Sequence, residues 1–290
     1  MTGNEHRVLI GTSSWRKKHW RKTFYPPGLP QAEELAYLAD RLGTVEINST
    51  WHGLQQASSF RAWRDKVPER FVFSVKAWQG VTHAGPLRGA ERAIATFLAS
   101  GPLLLEAKLG PFLWQFPETF GFNAEVMDGF FASLPRSVDE ARAFIARNGG
   151  DIDRALADIP DRLLRHAVEV RSASFAQPRY RDLLRRHGIS DVVTDVERDA
   201  AVDDLTADFV YVRFDDGVKR FPLGQSDDDL ARHAERIRRW ATRADVYFYF
   251  DDPDYREHPS DRPPFDAIAL QRIVGGQGPE PGTTLQPSLW

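Results

Sequence analysis

Short runs rich in Val, Ile, Phe and Tyr recur along the chain, at residues 8–11, 44–48, 71–76, 112–116, 167–171, 191–195, 209–213 and 246–250. Between them, apolar residues return every three or four positions: Leu35, Leu38, Ala39 and Leu42; Ala93, Phe97 and Leu98; Tyr180, Leu183 and Leu184; Leu230, Ala234, Ile237 and Trp240. The first pattern is that of buried strands and the second that of amphipathic helices. Gly43 and Gly188 stand where a left-handed helix C-cap is expected. Strand and helix alternating in this way predict parallel strands joined by helical crossovers. Eight strands favour closure into a (β/α)8 TIM barrel, with an open doubly wound sheet as the competing arrangement. The barrel is expected to be irregular. Residues 197–208 are too short and polar for a full sixth helix, whereas 136–165 could hold two short ones. One domain over 1–274 is expected, followed by a flexible Pro/Gly-rich tail over 275–290.

Composition narrows the function more than the fold. With 42% hydrophobic and 27% charged residues the chain has the make-up of a globular protein with a substantial core. A net charge of −3 gives no basic footprint, and the arginines at 236, 238, 239 and 243 read as a solvated helix face, so nucleic acid is not the expected partner. No apolar stretch approaches the roughly 18 residues of a membrane helix. The first strand begins too early for a signal peptide's apolar region, which makes the cytoplasm the expected location. The absence of cysteine removes thiolate chemistry and Cys-based zinc sites. No Gly-rich dinucleotide or phosphate-loop fingerprint points to a particular cofactor.

The chemistry concentrates where the strands end. Glu46 and Asn48, Lys76, Gln115, Glu169 and Arg171, Asp195, Arg213 and Asp251 with Asp252 all close apolar runs, although such groups are costly to bury alone. Side chains alternate along a strand, so Glu46 shares a face with Asn48 and Glu169 with Arg171, opposite Val45, Ile47, Val168 and Val170. If the apolar set faces the helices, the polar set lines the C-terminal mouth, where barrel enzymes build their sites. Two readings follow: a buried ion-pair network that only fills the barrel, or a site in which cations hold a ligand and a carboxylate moves a proton. Trp15, Trp20, Tyr25, Trp51, Trp78 and Phe175 fall in loops at the same end and serve either loop packing or stacking on a sugar or base, and His83 lies on a loop over the mouth.

Ile10-Gly11-Thr12-Ser13-Ser14-Trp15, with Trp20 and Phe24-Tyr25-Pro26, resembles the opening of the YecE-like family, domain of unknown function 72. The resemblance continues through Thr44-Val45-Glu46-Ile47-Asn48-Ser49-Thr50, Phe73-Ser74-Val75-Lys76-Ala77, Thr82-His83, Leu109-Gly110-Pro111, Gln115-Phe116-Pro117, Glu169-Val170-Arg171 and Tyr211-Val212-Arg213. It implies that family's barrel fold but no reaction. The chain departs from the family at the rim: Lys17 stands for an aromatic, Trp51-His52 for Phe-Tyr and Asp251-Asp252 for two asparagines. The histidines that the family tends to carry after Arg171 and after Arg213 are missing.

The residues point to an enzyme acting on a small anionic or polyhydroxylated, sugar-like substrate. Glu46, Lys76, Glu169 and Asp195 are its candidate acid/base or electrophilic groups. Trp15, Asn48, His83, Gln115, Arg171, Arg213 and Asp251 are its candidate binding groups. Three alternatives stay open: a divalent cation on Glu169, Asp195 and Asp251, a Schiff base on Lys76, and a barrel that binds a ligand or partner without turning it over.

Overall fold

The computed structural model describes residues 6–85, 87–149, 156–194, 204–215, 225–251 and 261–276. Asp195, Asp252 and most of the segments expected to hold the sixth helix and the tail lie outside these residues. The strands are β1 (Val8–Ser13), β2 (Thr44–Ile47), β3 (Val72–Lys76), β4 (Leu109–Gln115), β5 (His166–Glu169), β6 (Ser190–Val193), β7 (Phe209–Asp215) and β8 (Asp245–Asp251). All pair in parallel and in chain order, and β8 closes on β1, so the sheet is a (β/α)8 barrel and not an open one.

The helices are α1 (Glu34–Ala39), α2 (Ser49–His52), α3 (Ala57–Lys66), α4 (Gln79–Thr82), α5 (Glu91–Ala99), α6 (Ala124–Ser133), α7 (Val138–Arg147), α8 (Pro178–His187), α9 (Asp227–Ala241) and α10 (Pro263–Val274). α9 shows why these segments are helical. Ser226 and Asp229 form a reciprocal capping box, acids fill the first turn, Arg238 and Arg239 occupy the last, and Leu230, Ala234, Ile237 and Trp240 are buried. Its arginine stripe is partly structural, since Arg238 donates to the Ile273 carbonyl at the end of α10. Gly188 is the left-handed C-cap of α8, with φ of 60°. Gly43 is not: α1 ends earlier, Gly43 has no positive φ, and its carbonyl accepts from the Val72 N–H at 3.1 Å. Of the two helices expected in 136–165, α7 is the one found among the described residues.

Alternation along the strands separates two cores. Val45, Ile47, Val168, Val212 and Phe248 face the helices in the large outer core. Leu9, Val72, Leu113, Ala167, Phe209, Tyr211, Tyr247 and Tyr249 form a second cluster that fills the barrel. The interior is therefore layered. Near the strand N-termini, Arg165 binds Asp245 at 2.6 Å and Asp208 at 2.8 Å and reaches the Tyr247 hydroxyl. At mid-height the Tyr249 hydroxyl lies 2.9 Å from Thr44 Oγ1 and 2.6 Å from Ser74 Oγ, while Thr44 Oγ1 donates to the Val72 carbonyl. The charged groups lie above that layer.

Closure needs β1 and β2 in close contact, and a Cβ on Gly11 would come within 2.0 Å of the Thr44 carbonyl oxygen. Backbone cannot yield there without breaking the pairing. Gly11→Ala is expected to cost about 3 kcal/mol or more, at the upper end of overpacking effects; urea unfolding of the variant with an unchanged midpoint would contradict this.

Candidate active site

Arg213, on β7 and pointing into the barrel, is 3% exposed and uses its guanidinium on three strands at once. Nε donates to Glu46 Oε1 at 3.1 Å, Nη1 to Glu169 Oε2 at 2.7 Å and Nη2 to Asp251 Oδ2 at 2.6 Å. The remaining carboxylate oxygens are taken as well. Glu46 Oε2 accepts from the Tyr211 hydroxyl at 2.6 Å, Glu169 Oε1 accepts from Gln115 Nε2 at 2.6 Å and Arg171 Nε at 3.2 Å, and Asp251 Oδ1 accepts from Ser13 Oγ. β2, β5, β7 and β8 are thereby pinned to one another by charge-assisted hydrogen bonds at their C-terminal ends.

The three carboxyls respond differently. Burial drives Glu46 above the ordinary carboxylate range, and the attraction of Arg213 does not fully offset it. Glu169 and Asp251 are also opposed by burial, yet end below that range, Glu169 through Arg213, Arg171 and Lys76 and Asp251 through Arg213 and the Ser13 hydroxyl. Burial works against the Arg213 cation, but its three acids outweigh burial and hold it protonated.

Lys76 ends β3 at the same level but is not bound into this network. It is 9% exposed, and its Nζ forms no hydrogen bond or ion pair among the described residues; the nitrogen instead sits 4.9 Å from the centre of the Trp51 ring, a cation–π contact. Burial and then the repulsion of Arg213 push its proton affinity down, against a partial pull from Glu46, Glu169 and Asp251. Around it stand the half-exposed Arg171, whose Nη groups have no partner among the described residues, and His83. The His83 ring meets Trp51 edge-on at 5.3 Å, its Nδ1 lies 2.8 Å from Thr82 Oγ1, and burial, Lys76 and Arg171 hold it below its ordinary pKa. Asn48 follows β2 as the N-cap of α2, and its Oδ1 and the Trp51 Nε1 are buried without a partner.

Glu46, Lys76, Gln115, Glu169, Arg171, Arg213 and Asp251 thus converge, with His83 and Asn48 at their edge. Trp15 does not join them: it is 4% exposed, its ring packs edge-on against Trp63 of α3 at 5.4 Å, and its carbonyl accepts from Tyr25. Trp20, Tyr25 and Phe175 are equally buried, so most of the expected aromatic rim is loop packing, and Trp51 is the ring that reaches Lys76. Two members of the network are new. Ser13 and Tyr211 carried a signal in the alternation, since each is two residues from an inward neighbour, Gly11 and Arg213 respectively.

The donor set bears on a metal. Among the described residues no group of three or more His, Asp or Glu side chains is arranged to hold an ion. Of the carboxylates expected to do so, Asp195 lies outside the described residues, and Glu169 and Asp251 spend their oxygens on Arg213, Gln115, Arg171 and Ser13, with a guanidinium filling the place between them. A cation on Glu169 and Asp251 would have to displace Arg213, so these residues do not fit a resident divalent ion.

Fold and site together define a (β/α)8 barrel whose C-terminal mouth carries a nearly neutral cluster of buried acids and bases. The chain belongs to the family described as "Protein of unknown function DUF72", which it matches over residues 9–288. UPF0759 protein YunF from Bacillus subtilis (strain 168) is 30% identical over 123 residues, a stretch covering 41% of this chain and 43% of that one, so under half of this curated relative is matched. A DUF72 family protein from Thermotoga maritima MSB8 shares the fold with a TM-score of 0.65 and 22% identity, over 93% of this chain and 100% of that one. A second, from Enterococcus faecalis V583, gives 0.59 and 19%, over 93% and 98%. A D-psicose 3-epimerase from Clostridium cellulolyticum H10 gives 0.51 and 11%, again over 93% and 98%, a likeness of fold alone. Among the described residues no helix is long and apolar enough to cross a membrane.

Removing Arg213 leaves three buried carboxylates without their counter-charge. Arg213→Met is expected to destabilise the fold by about 3–5 kcal/mol at neutral pH, and its urea midpoint should rise as acid neutralises the stranded groups. In the wild type, Glu169 and Asp251 have lowered folded-state pKa values, so their contribution is complete above the ordinary carboxylate range and is lost as pH falls through their folded values. Glu46, being raised, works in the opposite sense: its contribution is present at acid pH and lost as pH rises through its folded value. The wild-type urea midpoint should therefore drop below about pH 4, and Asp251→Asn should flatten that decline. A parallel decline in the variant would show that Asp251 carries none of it.

Proposed function

We propose that the protein is an enzyme that binds a small anionic or polyhydroxylated substrate at the barrel mouth and acts on it by acid/base chemistry, with Lys76 as the proton-transferring group. One observation carries this reading: Lys76 ends a barrel strand in a buried, charged mouth and yet has no polar partner among the described residues. A lysine there for structure alone would be expected to satisfy its donors. A proton affinity below that of an ordinary lysine suits a group that must release and regain a proton more readily than a solvated ammonium does.

Arg171 is assigned to substrate binding. Its Nε is held by Glu169 and its half-exposed Nη groups present the paired donors that suit a carboxylate or phosphate. Arg213 loses that role, because its guanidinium is spent on Glu46, Glu169 and Asp251. It acts instead through the acids it positions. Glu46 is sealed beneath it, so a proton accepted at the mouth is better handled by Lys76 or by the more exposed Asp251 than by Glu46. Asp195 keeps only its sequence-based candidacy.

The reading is tested by incubating the protein in D2O with a panel of small hydroxy acids and sugar phosphates and following deuterium incorporation by NMR. The expected result is exchange at one substrate carbon, reduced by about a hundredfold or more in Lys76→Met, the lower range for a lost general acid/base. Arg171→Ala is expected to raise KM for anionic substrates by about tenfold, as for one lost charge-assisted hydrogen bond. Compounds that raise Tm but come back unexchanged and unconverted would make this a binding barrel and overturn the proposal.

A further inference from the structure

Lys76 differs from the other buried lysines in a way that bears on what the mouth can bond to. Lys108, 5% exposed, is a structural lysine: its Nζ donates at 2.8 Å to the carbonyls of both Arg64 and Val67, which close α3, and pairs with Glu69 at 3.2 Å. Lys17, 9% exposed, also has partners. Lys76 is buried to the same degree, and the three acids nearest to it in charge are consumed by Arg213, Tyr211, Gln115, Arg171 and Ser13. Acids around a lysine ordinarily keep it an inert ammonium. Here the guanidinium has taken them, and its own positive charge stands beside the amine. The Trp51 ring offers the nitrogen no lone-pair acceptor, and its π face attracts the ammonium without fixing a proton in a hydrogen bond. A lysine at the end of a barrel strand, desolvated and next to another cation, is in the setting that makes an amine nucleophilic.

We infer that Lys76 is a covalent site: its Nζ forms an imine with the carbonyl carbon of a small oxo acid whose carboxylate is held by Arg171. This rests on the reading of the mouth as a substrate site and narrows it to carbonyl compounds bearing an adjacent anionic group. The neutral amine attacks the carbonyl carbon, forming the N–C bond while one N–H proton passes through solvent to the oxygen. The carbinolamine then breaks its C–O bond, and the oxygen leaves as water with the second amine proton. Amine and carbonyl become imine and water, with no change of oxidation state and no further reactant. Burial and the repulsion of Arg213 raise the share of unprotonated amine, which the first step requires, above that of an ordinary lysine. Arg171 is fixed at the same mouth by its Nε on Glu169 Oε1 at 3.2 Å, beside Gln115 on the neighbouring strand, while Lys76 and His83 share the Trp51 ring at 4.9 and 5.3 Å; both cations act on His83 and on Glu169.

The full chain is incubated at neutral pH with pyruvate and sodium cyanoborohydride, which delivers hydride to an imine carbon and fixes it as a secondary amine, and the digest is mapped by mass spectrometry. Lys76 is expected to be alkylated at least tenfold faster than the exposed Lys18 and Lys22 in the same sample, an internal comparison that needs no variant. Lys76→Arg cannot form the imine and should remove the adduct while labelling of Lys18 and Lys22 stays unchanged. Arg171→Ala should slow labelling by pyruvate about tenfold, as one charge-assisted hydrogen bond is lost, while leaving labelling by the uncharged probe dihydroxyacetone unaltered. Labelling of Lys76 no faster than that of Lys18 and Lys22 overturns the inference. If labelling fails while deuterium exchange persists and is lost in Lys76→Met, the covalent step falls and acid/base catalysis stands; if both fail, the substrate-site reading falls with it.

Discussion

A single guanidinium organises the upper half of the barrel. Four strands end in or beside groups that water would ordinarily solvate, and closure of the sheet brings them into a space too small for their hydration shells. The cost of burying three carboxylates is offset because Arg213 presents its donors in a planar fork, one direction to each of β2, β5 and β8. Lysine also has three donors but on a single nitrogen, whereas the guanidinium spreads them over three nitrogens in one plane and so reaches carboxylates that stand further apart. Strand register, side-chain direction and net charge at the mouth all depend on that fork.

The same interaction decides which groups are left for chemistry. Carboxylates committed to Arg213 are poor metal ligands and poor nucleophiles, and the arginine itself is no longer an anion clamp. What remains is the Lys76 amine and the His83 ring on Trp51, the outer edge of Arg171, and the unpartnered Oδ1 of Asn48. Of the two readings left open by the residues, the structural ion pairs describe Arg213 and its acids, and the proposed site rests on the Lys76 amine and the Arg171 Nη groups outside that network.

Much of this was legible in the chain because alternation has a period of two and leaves few choices. Once Val45, Ile47 and Val168 are assigned to the helix side, Glu46 and Glu169 must point inward, and the observed strands lie close to the predicted runs. Partnership was not legible. Nothing local says that Arg213 rather than Arg171 takes the acids, since that depends on which strands face one another across a barrel. Trp15 failed as a rim residue for a similar reason, its place being settled by Trp63 on α3, far along the chain. Four-residue helices such as α2 are too short to show a period, so the position of Trp51 beside Lys76 could not be read either. Gly43 misled because glycine also serves where a chain enters a strand.

Below the charges, the hydroxyls of Ser74, Tyr249 and Thr44 have only one consistent proton order. Thr44 spends its hydrogen on the Val72 carbonyl, so it must accept from Tyr249, which in turn accepts from Ser74. The backbone of β3 therefore sets the direction of every O–H dipole in that layer. Water in the same place would turn to follow a change of charge above it, whereas this row is locked. When a proton arrives at or leaves the mouth, the barrel interior responds as a fixed field rather than as a solvent, and the rearrangement that charge transfer demands falls on the open side alone.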